Sequence, residues 1–159
     1  MRNSLIVLCA FDGIHMARIF FIAAAAVLAL TAIVPANASD LAGTWLIEDR
    51  TAKVRIFMCG EAICGNVAWL SQPLDDVTGK PQTDKLNVDP DRRNRPMLGV
   101  AVFLGMQKNS EDNKWLGRIY NPDDGSTYMG SIELINATLL KVKACVSIYC
   151  KTEIWNRSN

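Results

Sequence analysis

From Gly43 onward, apolar and polar residues alternate in short runs instead of recurring every three or four positions. Lys53–Met58 is the clearest run: Val54, Ile56 and Met58 fall on one face, and Lys53, Arg55 and Phe57 on the other. That two-residue period belongs to a half-buried strand. Comparable segments are Gly43–Glu48, Cys64–Leu70, Leu98–Met106, Lys114–Tyr120, Thr127–Ile135, Leu139–Cys145 and Cys150–Asn156. Between them lie turn residues: Gly60-Glu61, the polar stretch Asn109–Asn113, and Asn121-Pro122-Asp123-Asp124-Gly125. Successive strands joined by short turns predict an all-β fold, an eight-stranded antiparallel up-and-down barrel, because closing a meander removes its unpaired edges. An open two-sheet sandwich is the competing arrangement.

One connection breaks the rhythm. Ser71 to Pro96 is long, polar and rich in Asp, Pro and Arg, and it ends in Asp91-Arg92-Arg93-Asn94-Arg95-Pro96. Loops of this length in a compact domain are usually functional or disordered. Two readings are open. The charges pair among themselves on a solvated loop, or the loop is a lid over one barrel mouth whose arginines meet a carboxylate or phosphate.

The residues before Gly43 read differently. Arg18 supplies a positive start, Ile19–Val34 is an uncharged apolar run of 16 residues, and Ala36-Asn37-Ala38 offers a cleavage site. The run is shorter than the roughly 20 residues a membrane-spanning helix needs. We therefore expect residues 1–38 to be a cleaved N-terminal signal peptide, with translation starting at Met16, and 39–159 to be the working domain. The protein is then periplasmic or secreted, with no membrane association after cleavage near Ala38. Cys9 follows Leu8, where lipoprotein processing would require a small residue.

Removal of that segment changes the inventory. Of 17 Lys and Arg and 16 Asp and Glu, two and one respectively precede Ser39, so the mature part is electrically neutral. Neutrality argues against a nucleic-acid partner, which needs basic excess. The single histidine, His15, also lies in the removed segment. That excludes Ser-His and Cys-His catalysis and imidazole metal sites from the mature chain. The acidic turn around Asp123 lacks the ligand spacing of an EF-hand loop, so no metal and no cofactor are expected.

Four cysteines remain, as two equally spaced pairs, Cys59 with Cys64 and Cys145 with Cys150. In an oxidising compartment they read as two disulfides, and the equal spacing between strand-like segments favours local pairing across hairpin ends. Redox centres usually place two residues between their cysteines, not four.

Two resemblances follow from ordered short motifs. Gly43-Thr44-Trp45 at the start of the domain and Arg157 near its end resemble the calycin superfamily, which includes the lipocalins and fatty-acid-binding proteins. The resemblance implies a structural plug, with Trp45 closing one barrel end under the Arg157 guanidinium. The longer succession comprises Cys59-Gly60-x-x-x-Cys64-Gly65, Trp69-Leu70, Asp84-x-x-Asn87, Arg93-x-Arg95-Pro96, Trp115-x-Gly117, Ile119-Tyr120-Asn121-Pro122-x-x-Gly125-x-x-Tyr128 and Trp155-x-Arg157. It is similar to a bacterial secreted family, domain-of-unknown-function 2147. This implies a lipocalin-like barrel and supplies no activity. An aspartate is usual in that family where Asn121 stands, and a glycine-containing turn where Asn136-Ala137 stands.

Three classes of function remain. The first is a non-catalytic protein holding a small apolar or amphipathic ligand, with Asp84, Asn87, Arg93, Arg95, Tyr120 and Tyr128 as candidate ligand-binding residues. Against it, Trp69, Phe103 and Trp115 are bulky enough to fill a small barrel themselves. The second is an envelope protein-interaction or inhibitor module. The third is a histidine-independent hydrolase using Asp84, Asp123, Asp124, Tyr120 and Tyr128, although Asp-Asp before Gly is ordinary turn chemistry. No catalytic residue is assigned.

Overall fold

The computed structural model describes residues 38–158. The expected signal segment, apart from Ala38, lies outside the described residues. A helical turn, Ala38–Leu41, leads into eight strands: β1 Gly43–Leu46, β2 Ala52–Cys59, β3 Ala62–Leu70, β4 Ala101–Lys108, β5 Lys114–Asn121, β6 Ser126–Asn136, β7 Leu139–Val146 and β8 Tyr149–Ser158. Each pairs antiparallel with the next, and β1 pairs with β8 through Trp45 opposite Arg157. The barrel is therefore closed and has no free edge.

Alternation decides what fills it. Trp45, Val54, Ile56, Ile63, Val67, Phe103, Met106, Trp115, Ile119, Ile132, Leu140, Val142 and Trp155 form one buried core. Phe103 and Trp155 stack with ring centres 5.4 Å apart. Phe103 fits a socket made by Gly65, where a Cβ would stand 2.6 Å from the phenyl ring. Truncating such a fully buried ring typically costs about 3–5 kcal/mol.

Two sequence expectations need correction. Trp69 does not fill the barrel. The register slips between Lys53 and Val54, so Ala68 is an extra residue and Trp69 comes opposite Lys53 on the outer face. There the Lys53 ammonium lies 5.4 Å from the centre of its ring. The fourth strand begins at Ala101, not Leu98, because Leu98–Val100 are used in a turn. Gly99 has φ +90°, and Val100 donates to Met97 while Gly99 donates to Val67.

The two cysteine pairs form disulfides, Cys59–Cys64 and Cys145–Cys150. Equal spacing hides different placements. In the first hairpin Cys59 stands opposite Ala62, so the bridge runs diagonally to Cys64. In the second, Cys145 and Cys150 are direct ladder partners and Val146 faces Tyr149 beyond them. The Cα–Cα distances follow, 5.8 Å against 4.0 Å.

Candidate functional site

Three polar assemblies sit around the barrel. The first closes one end. The Arg157 guanidinium lies 4.2 Å from the Trp45 ring centre and donates to the carbonyls of Ala42, Asp40 and Ala137. The Trp45 indole N–H donates to Leu41 at 2.9 Å. Gly43 is demanded here: its φ is +136°, and a Cβ would stand 2.6 Å from an Arg157 nitrogen. Trp45 and Leu41 are fully buried, so this end is sealed by apolar mass with a cation laid over it.

The second assembly fixes the long connection. Asp84 and Asn87 are the two buried polar side chains among the described residues. Asp84 accepts from Tyr120 Oη at 2.6 Å, from Asn87 Nδ2 at 2.8 Å, and from Arg95 Nε and Nη2 at 2.9 and 2.7 Å. Arg93 Nε donates to the Asn87 carbonyl at 2.8 Å. Burial, with the hydrogen bond to Asp84 and its charge, pushes the Tyr120 hydroxyl up to about 12. Gly125 completes the joint, because a Cβ there would fall 1.7 Å from the Leu86 carbonyl oxygen and its φ is +70°.

The structure thus brings five of the six candidate ligand residues together: Asp84, Asn87, Arg93, Arg95 and Tyr120. It brings them to the outside of the wall. Tyr120 follows inward-facing Ile119 and faces exposed Thr127 across the ladder, so it points outward and is buried only because the loop lies on it. A buried carboxylate engaged on both oxygens offers no free acceptor to a substrate. Both readings of the loop's charges meet here: they do pair among themselves, and one pairing is buried.

Tyr128, the sixth residue, lies elsewhere. It faces Ile119 across the ladder and so belongs to the inner wall, with Asn121 on the same face. Its hydroxyl donates to Asp124 Oδ2 at 2.7 Å, which also accepts from Asn121. The bond to Asp124 raises Tyr128 above the usual tyrosine value. Burial pushes Asp124 upward, but hydrogen bonds from Tyr128, Ser126 and Asn121 outweigh it and leave the carboxyl below its ordinary range.

The third assembly joins Tyr128 at this open end, and sequence reasoning missed it. Glu153 faces Val142 across the ladder, and Lys151 faces Ala144. Both therefore line the inner wall. Trp155 Nε1 donates to Glu153 at 2.9 Å and Lys151 Nζ pairs with it at 2.7 Å. The hydrogen bond to Glu153 and its charge, with Asp123 and Asp49 nearby, hold the Lys151 ammonium above its ordinary value. The signal was present in the alternation Lys151-x-Glu153-x-Trp155-x-Arg157, which puts two charged residues on the face of two plug and core residues.

Among the described residues no group of three or more His, Cys, Asp or Glu is placed to hold a metal ion. Asp123 and Asp124 close the turn after β5, with Ser126 and Asp123 backbone N–H groups donating to Asp124 and Asn121.

The fold has a solved counterpart. Protein HP1028 from the human pathogen Helicobacter pylori, described as belonging to the lipocalin family, superposes with a TM-score of 0.60 at 23% identity, over 75% of this chain and 83% of its own. No curated protein matches the chain. A family model described as an uncharacterized protein conserved in bacteria, DUF2147, matches residues 43–157. The match runs from the glycine under Arg157 to Arg157 itself, and the chain belongs to that family.

Proposed function

We propose that the protein is an exported, non-catalytic, lipocalin-like barrel of the bacterial envelope that binds a small, largely apolar ligand through the open end of its inner wall. The observation carrying this reading is the asymmetry of that wall. At the Trp45 end it is sealed and dry. At the other end it carries hydrogen-bonding side chains that water reaches: Glu153, whose side chain is 25% exposed, Lys151, Tyr128 and Asn121. Apolar walls with a few placed polar groups are the usual make-up of a small-molecule site. Two disulfides fit an oxidising compartment, and the signal-like segment before Ser39 fits export. In this reading the Asp84 cluster is the anchor of the long loop at the rim of the barrel.

Native mass spectrometry of protein purified from its own envelope tests it. A retained small molecule, lost on denaturation, is expected; a clean apo mass from undenatured protein counts against the ligand reading.

A specific observation favours a second reading, a docking module. The tip of the β7–β8 hairpin exposes Val146, Ile148 and Tyr149 by 58%, 82% and 78%, beyond the Cys145–Cys150 bridge that stiffens it. Capture of an envelope protein dependent on these three side chains, with no retained small molecule, would establish it instead.

A further inference from the structure

The barrel buries three tryptophans, and two of their N–H groups are satisfied by the protein. Trp45 donates to Leu41 and Trp155 to Glu153. The third, Trp115, is 4% exposed, and its Nε1 is a buried side-chain donor with no partner. Buried donors are almost always paired, and each exception asks for a cause. Leaving one unpaired costs about 1–3 kcal/mol.

The surroundings of Trp115 supply a cause. It faces Ile132 across the ladder, Ile132 faces Val142, and Val142 faces Glu153. One inner row therefore runs from the orphan N–H, over two apolar side chains, to the open-end carboxylate. The adjacent inner row is Gly117, Gly130 and Ala144, again direct partners across β5, β6 and β7. Three small residues in a row make a groove in the wall. Its occupants are side chains: Met106 Sδ stands 2.9 Å from where a Gly117 Cβ would be, and Ile119 Cδ1 2.4 Å from that of Gly130. Methionine is the most adaptable of core side chains.

We propose that the Gly117–Gly130–Ala144 row is the floor of a ligand groove from which Met106 and Ile119 withdraw, and that the ligand presents an oxygen acceptor to the Trp115 indole N–H. The ligand class is a small, mainly apolar molecule carrying one carbonyl, ether or hydroxyl oxygen. The inference rests on the reading that the barrel takes a small ligand, and it adds the chemistry of that ligand and its inner contact.

The test uses the full mature protein, labelled with nitrogen-15, titrated with 2-heptanone and in parallel with heptane. The Trp115 indole signal is identified through its contacts with Ile132. The ketone is expected to move that signal downfield, as a new hydrogen bond does, while heptane does not. Trp115→Phe should weaken 2-heptanone binding about tenfold, leave heptane binding unchanged, and not lower the unfolding midpoint. A Trp115 signal that stays still, or moves equally with both compounds, overturns the proposal without any variant. If the amides of Tyr128 and Glu153 move while Trp115 does not, the groove is wrong and the open-end site stands. A protein that takes up neither compound also sinks the groove, and the native mass measurement then decides the broader reading.

Discussion

The two ends of the barrel use the same kinds of residue to opposite effect. At the closed end, Arg157 lies flat on Trp45 and spends its donors on the carbonyls of Asp40, Ala42 and Ala137. At the open end, Lys151 and Trp155 both turn to one carboxylate, Glu153, within reach of water. A guanidinium with backbone acceptors makes a seal, because nothing is left for a solute to displace. An ammonium and an indole sharing an accessible carboxylate make an exchangeable site, because a ligand can take over one partner's role. Residue type alone does not separate seal from site; the partners and the exposure do.

The largest predicted effect lies at neither end. Asp84→Ala leaves the Arg95 guanidinium without its buried partner and Tyr120 and Asn87 without their acceptor. Loss of one member of a buried pair costs about 3–5 kcal/mol, read as a shift in the denaturant midpoint. Amide exchange in 83–97 should accelerate with it, while β6–β8 keep their protection. If exchange rises uniformly instead, the cluster supports the whole barrel and not the loop.

Arg157→Ala should cost less, about 1–3 kcal/mol, since the stack on Trp45 and the backbone hydrogen bonds are partly replaced by water. An unchanged unfolding midpoint would show that Trp45 alone closes that end.

The alkaline limb of stability comes next. The Tyr120 hydroxyl titrates near 12 in the folded protein against an ordinary 10.0. A group raised on folding stabilises fully below its unfolded value and loses that contribution as pH climbs through the folded one. Stability should therefore fall by about 2–3 kcal/mol between pH 10 and 12. Tyr120→Phe should be less stable at neutral pH and lack this component of the fall. A variant with the same alkaline slope would assign it to other groups.

Glu153→Gln is expected to change stability least, by about 0.5 kcal/mol or less, yet to weaken binding of the retained ligand. Equal affinity would remove Glu153 from the site.

How far these regions were legible in sequence follows from what each depends on. The eight strands were, because alternation is local: Val54, Ile56 and Met58 announce their face without knowledge of the partner strand. The Trp45–Arg157 pairing was accessible only through resemblance, since 112 positions separate the two and only closure of β1 on β8 brings them together. Trp69 was misread because one bulge at Lys53 reverses the parity of everything after it. Asp84, Asn87, Arg93, Arg95 and Tyr120 were recognised as a set, but which side of the wall they occupy depends on how a long loop docks. Tyr120 has the parity of an exposed residue and is buried only because that loop lies on it. Glu153 carried no motif and was passed over; its parity with Trp155 was the available clue.

The comparison of the two ends is tested most directly by hydrogen–deuterium exchange on the mature protein, with and without the small-molecule fraction extracted from its own envelope. Binding at the open end predicts slower exchange in 121–128 and 149–155 and no change in 41–46 or at Arg157. Protection centred on the Trp45–Arg157 end, or none anywhere in the barrel while a small molecule is bound, would contradict the account.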